Sequence, residues 1–430
     1  MNKPVFVISC PYDTYSGYGA RARDIIRSII NTGRYDVKLM AQRWGSTAWG
    51  FCKEHPEWEY LNNLKLPNNK LQGKPDIWMQ ITIPNEFQPV GKYNIGCTAG
   101  IESDLCKSEW IEGLNRMDVN WVSSNFAKNT FEKVKFDKVD KNTKQKIGQL
   151  KLEKPIEVVF EGVNLDIYKN ITSKEIKSVK LEEIKESFCF LFVGHWMQGA
   201  FGHDRKNVGK LVKAFYEVFK NKKQKPALIL KTSIGVSSYT SREEILKRIK
   251  EIRKTINATN LPNIYLLNGE FSDEEINELY NHPKVKSMVS FTKGEGFGRP
   301  LLEFSLTGKP IIATNWSGHT DFLKSSFTTL VGGNLENVHD TAANDWLIKE
   351  SKWFQVHDGQ AGNALKDMYK KYKQYIIKGK QQKNFSKSRF SREKMEELVD
   401  SLLLACIPDF PQEQQLKLPT LNLPKLEKIG

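Results

Sequence analysis

The sequence predicts an α/β protein made of two parallel-sheet domains, and three observations predict it. Short apolar runs of strand length alternate with amphipathic helical stretches along both halves, the pattern of parallel strands joined by crossover helices. Twice a glycine-containing loop ends such a run and opens a helix, around Gly17 and Gly19 and again at Gly294 to Gly298. At 430 residues, with a hydrophobic content of 39% spread along its length, the chain has room for two full cores.

In the first half, Val5 to Cys10 reads as a buried strand, and Ala20 to Ile30 as a helix with Ala22, Ile25, Ile26, Ile29 and Ile30 at helical spacing. Gly17 and Gly19 make the turn between them. A plain turn is one reading and a ligand loop the other. The spacing lacks the full G-x-G-x-x-G fingerprint, which disfavours a nicotinamide dehydrogenase. Strands follow at 36–41, 76–82, 93–98 and 118–123, and helices at 108–116 and 125–135. The loop QRWGSTAWGF (Gln42 to Phe51) interrupts the rhythm; Trp44, Trp49 and Phe51 either stack on a sugar or base, or form the loop's own core. Glu102 and Asp104 lie just past a strand end, where α/β sheets place ligands. Glu102 is the candidate to orient or deprotonate an acceptor, with helix capping as the competing role. Residues 127–155 hold nine lysines against four acids and read as an exposed, mobile insertion.

Ile156 to Tyr168 gives a further strand and turn, and the Lys- and Glu-rich residues 169–187 fit a linker. The second domain opens with the strand FCFLFVG (Phe188 to Gly194) and a helix striped by Val208, Leu211, Val212, Phe215 and Phe219. Arg205 and Lys206 precede that helix. Two cations there repel each other and the helix dipole unless an anion sits between them, so a diphosphate is a natural occupant. Lys231, at the end of strand 227–232, could add a phosphate contact. Alternation continues with helix 242–256, strand 263–267 and helix 273–281, the last opened by a capping box of Ser272 and Glu275.

The central stretch is strand Val285 to Thr292, then KGEGFGRPLLEFSLTGKPIIAT. Glycines let a ligand approach the backbone, and the helix N-terminus that follows favours an anion. Glu303 lies one turn into that helix, where side chains lean back toward the loop, and suits hydrogen bonds from a ribose diol. Glu295 stands on the loop itself. A glycine turn with a surface acid is the competing reading.

Glu295 and Glu303 with Gly296, Phe297, Gly298, Pro300 and the strand PIIAT closely resemble the E-x7-E signature of retaining GT-B glycosyltransferases of family 4. The resemblance is strong over residues 188–331 and weak over the first 168. It implies a GT-B fold of two Rossmann-like domains facing a central cleft: 1–168 on the acceptor side, a linker 169–187, a nucleotide-sugar domain 188–345, helices 346–407 returning to the first domain, and a tail 408–430. It implies that Glu303 holds the nucleotide ribose, that Glu295 faces the donor sugar, and that Gly296 to Gly298 bind sugar and phosphate. Gly17 and Gly19 would face the diphosphate from the first domain, and Arg205 and Lys206 would bind it from the second. Two departures stand out. The family's His near the transferred sugar is absent, leaving Glu102, and the usual phosphate-binding Arg position is His195, with about ten residues inserted before Arg205.

His195, His203 and Asp204 do not have metal-ligand spacing, and there is no D-x-D motif, so metal-independent transfer is expected, with no cofactor beyond a UDP- or GDP-sugar donor. Six scattered cysteines without a C-x-x-C pair, no apolar run of span length and an N-terminal run too short for a signal peptide place the chain in the cytoplasm. The net charge, 65 − 50 = +15, favours a polyanionic acceptor. DNA bearing hydroxylated bases is the first specific candidate, and a lipid-linked or cell-envelope saccharide at an anionic membrane surface the alternative. Outside the enzyme class stands a non-catalytic nucleic-acid-binding protein on a transferase scaffold.

Overall fold

The computed structural model describes residues 3–45, 47–140 and 142–410. Its first lobe is a six-stranded parallel sheet of β1 (Val5–Cys10), β2 (Asp36–Ala41), β3 (Ile77–Ile81), β4 (Tyr93–Cys97), β5 (Val119–Val122) and β6 (Ile156–Val158), in the order β2-β1-β3-β4-β5-β6. The second lobe repeats the plan with β7 (Cys189–Val193), β8 (Ala227–Lys231), β9 (Ile264–Leu267), β10 (Val285–Ser290), β11 (Ile311–Thr314) and β12 (Thr329–Val331), ordered β9-β8-β7-β10-β11-β12. In each sheet the strand order reverses beside the first strand. A crevice therefore opens at the carboxyl ends of β1 and β3, and another at those of β7 and β10, the places where open α/β sheets bind ligands.

Helices cover both faces, which is why the strands read as continuous apolar runs. Helix α1 (Gly17–Asn31) is capped by Ser16, whose hydroxyl accepts from the Gly19 amide, and it buries Arg21, Arg23 and Asp24 along with its isoleucines. Helices α2 (Ser108–Arg116) and α3 (Asn125–Lys133) follow in the first lobe, and α4 (Val208–Phe219), α5 (Tyr239–Lys254), α6 (Asp273–Asn281) and α7 (Arg299–Ser305) in the second. The Ser272–Glu275 capping box forms as expected.

Three stretches depart from expectation. Lys135–Val139 and Lys146–Lys151, within the expected exposed insertion, are paired antiparallel strands, and Phe136 pairs across with Leu150 so that both join the first lobe's core. Val179, Leu181 and Ile184, in the expected linker, are buried in the second lobe. After Trp346 the chain is not yet helical. Lys352–Val356 is a strand paired with Gly333–Asn337, its Trp353, Phe354 and Val356 side chains buried; helices α8 (Asp358–Lys370), α9 (Tyr372–Arg389) and α10 (Arg392–Cys406) come after it.

The lobes meet at several points. Helix α10 inserts Met395, Val399 and Leu403 into the core built by β1 and α1, and Arg34 pairs with Asp400 at 2.6 Å. The two chain crossings run side by side, since the Val163 amide donates to the Phe390 carbonyl and the Arg392 amide to that of Val163, both at 2.9 Å. Across the cleft mouth the Asp104 amide donates to the Lys352 carbonyl at 2.9 Å, and the Lys352 amide returns to the Asp104 carboxylate at 2.6 Å. The Asp321 carboxylate accepts from the Asn125 amide at 2.8 Å. From residue 411 the expected tail lies outside the described residues.

Candidate active site

The loops after β7 and β10, neighbouring strands at the switch point of the second sheet, bring Arg205, Lys206 and Glu295 together. The Lys206 ammonium lies 2.5 Å from Glu295 Oε1, and Arg205 Nη1 lies 3.5 Å from Oε2. The anion expected between the two cations is thus supplied, in this structure, by the protein's own carboxylate. Burial alone would push the Glu295 carboxyl up, but Lys206 and Arg205 override it and hold the group at about 2. At Lys206 burial wins, and its ammonium sits below the ordinary range despite Glu295. Arg205 also reaches the first lobe, with Nη2 3.6 Å from Glu102 Oε1, and its Nη1 donates to the Gly294 carbonyl at 2.8 Å. Glu102 therefore stands at the cleft. The N-cap of α2 is Lys107, so Glu102 does not cap that helix.

The glycine loop has a different reason for its glycines than ligand access alone. A Cβ on Gly294 would collide with the Glu102 carbonyl oxygen, and one on Gly296 would come within 2.7 Å of the Ala99 carbonyl oxygen. These glycines let the loop press backbone to backbone on the first lobe. Ser123 ties the contact by donating to the Gly296 carbonyl at 3.1 Å. Gly298 caps α7 with φ +99°, a left-handed conformation open to glycine. Behind the loop, the Ser317 hydroxyl lies 2.9 Å from the Glu295 amide, and the Gly318 amide donates to the Glu295 carbonyl at 2.9 Å. The Phe297 ring packs in the core, 5.0 Å from that of Phe322, which leaves its backbone amide as the group facing the loop. Helix α7 has seven residues, and the side-chain positive charge beside its loop comes from Arg205 and Lys206.

Glu303 is buried on the inner face of α7. Its Oε1 lies 3.4 Å from Arg299 Nε, and Tyr280 donates to Oε2 at 3.4 Å. Burial raises its carboxyl to about 7, with Asp273 adding to the rise and Arg299 opposing it. Glu295 and Glu303 thus lie at either end of one loop-and-helix element, each facing a different cation. Glu161, on the crossover, stands between the two neighbourhoods: its carboxyl is raised by burial and feels Arg21, Arg299, Asp24 and Glu295.

The other expected residues sort by surroundings. Gly19 is required, because a Cβ would strike the Thr14 and Pro11 carbonyl oxygens, whereas Gly17 faces open space. Lys231 sits apart from the Arg205–Lys206 pair, donating to the Gly269 carbonyl at 2.7 Å with its ammonium over the Phe271 ring. His195 Nδ1 lies 3.0 Å from the Ser233 hydroxyl, and burial, then the charges of Lys206 and Lys231, hold its imidazole below the ordinary value. In the Gln42–Phe51 loop, Trp44 stacks on Tyr18 and Phe51 lies under Arg23, while Trp49 is exposed. Sequence reasoning missed Arg299, Asp24, Glu161 and His319. His319 is fully buried behind the loop, with Nε2 2.7 Å from the Thr314 carbonyl oxygen and Nδ1 unpartnered. Only the i, i+4 spacing of Arg299 and Glu303 carried a signal.

Comparison with known proteins gives this geometry a context. Residues 173–351 match the family model of Glycosyl transferases group 1. The fold matches a glycosyltransferase from Rickettsia africae at TM-score 0.61 and 15% identity, covering 94% of this chain and 99% of that one. It matches sucrose-phosphate synthase from Thermosynechococcus elongatus at 0.62 and 12%, covering 94% and 99%. The Anabaena protein HepE, solved in complex with UDP and glucose, matches at 0.57 and 12%, covering 94% and 100%. No curated protein matches the sequence. The GT-B fold expected from the sequence holds, and the match to the group 1 glycosyl transferase model spans most of the second lobe. Among the described residues no helix is long and apolar enough to cross a membrane.

Proposed function

We propose that this chain, an enzyme carrying a group 1 glycosyl transferase domain, moves a sugar from a nucleotide-diphospho-sugar to a polyanionic acceptor with retention at the anomeric carbon and without a metal ion. The observation that carries the reading is the Arg205–Glu295–Lys206 cluster at the switch point of the second sheet, one short helix away from Glu303. HepE, of the same fold, was solved with UDP-glucose, which supports a donor of this class.

On this reading the donor diphosphate takes the place beside Arg205 and Lys206 now held by the Glu295 carboxylate, and Glu295 turns to the sugar hydroxyls. As the anomeric C–O bond breaks, the two cations stabilise the negative charge that develops on the leaving diphosphate. They are already in place and nearly dry, so little reorganisation is needed. Glu303 accepts from the ribose hydroxyls. Glu102, across the cleft and partly exposed, orients the acceptor hydroxyl, whose oxygen forms the new bond on the same face as the departing group while its proton passes to the departing diphosphate oxygen. The pair of basic side chains supplies the charge neutralisation that a divalent ion provides in metal-dependent transferases.

The polyanionic acceptor rests on charge. Helix α9 carries Lys373, Lys378, Lys380, Lys383, Lys387 and Arg389 with no acid in its sequence, and DNA with hydroxylated bases remains the specific candidate. Thermal-shift measurements against UDP-, GDP-, ADP- and dTDP-sugars test the donor. At least one should raise the melting temperature, and Arg205→Ala with Lys206→Ala should abolish the shift. Stabilisation by none of them, or an undiminished shift in the double variant, refutes the reading. For the acceptor, salt-dependent binding to duplex DNA but not to anionic vesicles is expected; the reverse result selects the membrane alternative.

A further inference from the structure

Arg299 touches both the ribose-binding candidate and the opposite lobe. Its guanidinium divides its edges. Nε faces Glu303 Oε1 at 3.4 Å within the second lobe, while Nη1 reaches Asp24 Oδ2 of α1 at 2.9 Å and Glu161 Oε2 of the crossover at 3.9 Å. All four groups are largely buried, the Asp24, Glu161 and Glu303 side chains each exposing only 11% of their surface. Three carboxyl groups therefore share one cation across the lobe boundary, and the shortest contact goes to the other lobe.

We propose that Arg299 is a positioning residue that links closure of the two lobes to the availability of Glu303; the proposal rests on Glu303 serving the donor ribose. With the lobes together, Asp24 takes the guanidinium at hydrogen-bonding distance and holds it off Glu303. The carboxylate stays close to a positive charge, and its second oxygen, which accepts from the Tyr280 hydroxyl at 3.4 Å, keeps a lone pair that a ribose diol can take up. With the lobes apart, Asp24 moves away with α1 and the guanidinium is free to clamp Glu303 on both oxygens, the strong bidentate arrangement such pairs prefer. Donor then competes with Arg299 for Glu303, and closure removes the competitor. The remaining ionisable groups of this neighbourhood fit the same balance. Tyr280 donates to Glu303 from α6, Tyr168 donates to Asp273 at 2.9 Å, and Arg21 faces Glu161 with Nε and Nη1 unpartnered. A lysine cannot serve, since a single ammonium lacks the two edges that reach opposite lobes.

The test uses the whole chain and three variants, Asp24→Asn, Arg299→Lys and the double change, with the nucleotide-sugar that stabilises the wild type best as probe. Asp24→Asn should keep a melting temperature close to wild type, lower kcat and bind donor several-fold more weakly, because Arg299 now stays on Glu303. Arg299→Lys should keep donor affinity near wild type while lowering kcat, and added to Asp24→Asn it should restore the affinity that variant lost, since the bidentate competitor is gone but the lobes are no longer tied. The double variant should be no slower than Arg299→Lys, the mark of one shared pathway. Wild-type kcat in Asp24→Asn, or losses that multiply in the double variant, would overturn the proposal. Failure of the wild-type chain to bind any nucleotide-sugar would instead remove the underlying donor reading, so the two failures are told apart.

Discussion

At the residue scale, the two acids that frame the E-x7-E spacing are held in opposite electrostatic states. Glu295 is kept ionised to about 2 by Lys206 and Arg205, and its replacement leaves the buried Lys206 without its carboxylate and Arg205 with only the more distant Glu102. Glu295→Gln should therefore lower the stability of the free protein by about 3–5 kcal/mol. Added UDP should recover that loss and bind more tightly than to wild type, because the internal competitor is gone, while glycosyl transfer falls. Calorimetry of UDP binding beside a turnover assay checks both halves. Glu303 behaves the other way: burial lifts its carboxyl to about 7, and the ribose contact proposed for it needs the group ionised. Affinity for UDP-glucose, whose diphosphate does not titrate there, should weaken about tenfold per unit as pH falls below 7 and level off above it. Glu303→Gln should bind weakly with a flat profile. The same shift has a stability sign. The folded state holds a proton that the unfolded chain has lost between the ordinary carboxylate range and pH 7, so this group's contribution to stability declines as pH rises through that window.

The placing of both acids on one strand, loop and helix was legible in the sequence because an apolar run, clustered glycines and Pro300 mark that element, while the roles proposed for them come from the E-x7-E resemblance. Asp24, Glu161 and His319 were not, since each acts through contacts with residues far along the chain, and nothing local distinguishes Asp24 from a solvated helix acid. The arginines of α1 show the same limit. Helical spacing put Arg21 and Arg23 between the apolar positions, yet both are buried, Arg21 on the Val159 carbonyl at 2.9 Å and Arg23 under the Tyr12 and Thr14 carbonyls.

At the scale of elements, the glycine loop is a seam as much as a ligand cradle. Gly294→Ala would force the Glu102 backbone away and open the seam, and displacement of about 1 Å at a reacting centre costs about 100-fold in rate. Turnover in that variant should fall by this order while each lobe stays folded by circular dichroism. Gly17→Ala, with open space at its Cβ, should change stability by no more than about 0.5 kcal/mol. Strands and helices were read from the sequence to within a few residues, because both sheets bury two faces and their strands are continuous apolar runs. The paired strands Lys135–Val139 and Lys146–Lys151 escaped, since lysines dominate their composition and only Phe136 and Leu150 anchor them. The strand Lys352–Val356 escaped because its partner strand, Gly333–Asn337, is mostly polar and exposed.

At the scale of the whole molecule, the two lobes are bound by a returning helix, a paired crossing and the Arg299 cluster. Helix α10 belongs to the core of the lobe that the chain left more than two hundred residues earlier. Leu403→Ala should cost about 2–5 kcal/mol, as a large-to-small change in a core does. Leu404→Ala, on the exposed side of the same helix, should be near neutral. Urea melts of the two variants separate the outcomes. On the proposed reading, this architecture of two lobes held across a cleft, with Arg205, Lys206 and Glu295 on one side and Glu102 on the other, encloses the donor and neutralises its leaving group.

A crystal structure of the chain with the nucleotide-sugar that stabilises it best puts the enclosure to the proof. The diphosphate should lie within hydrogen-bonding distance of Arg205 and Lys206, the ribose diol on Glu303, and the Glu295 carboxylate should have turned from the cations to the sugar. A donor bound elsewhere, or one seated in the cleft with Glu295 still paired to Lys206 and Glu303 untouched, would contradict it.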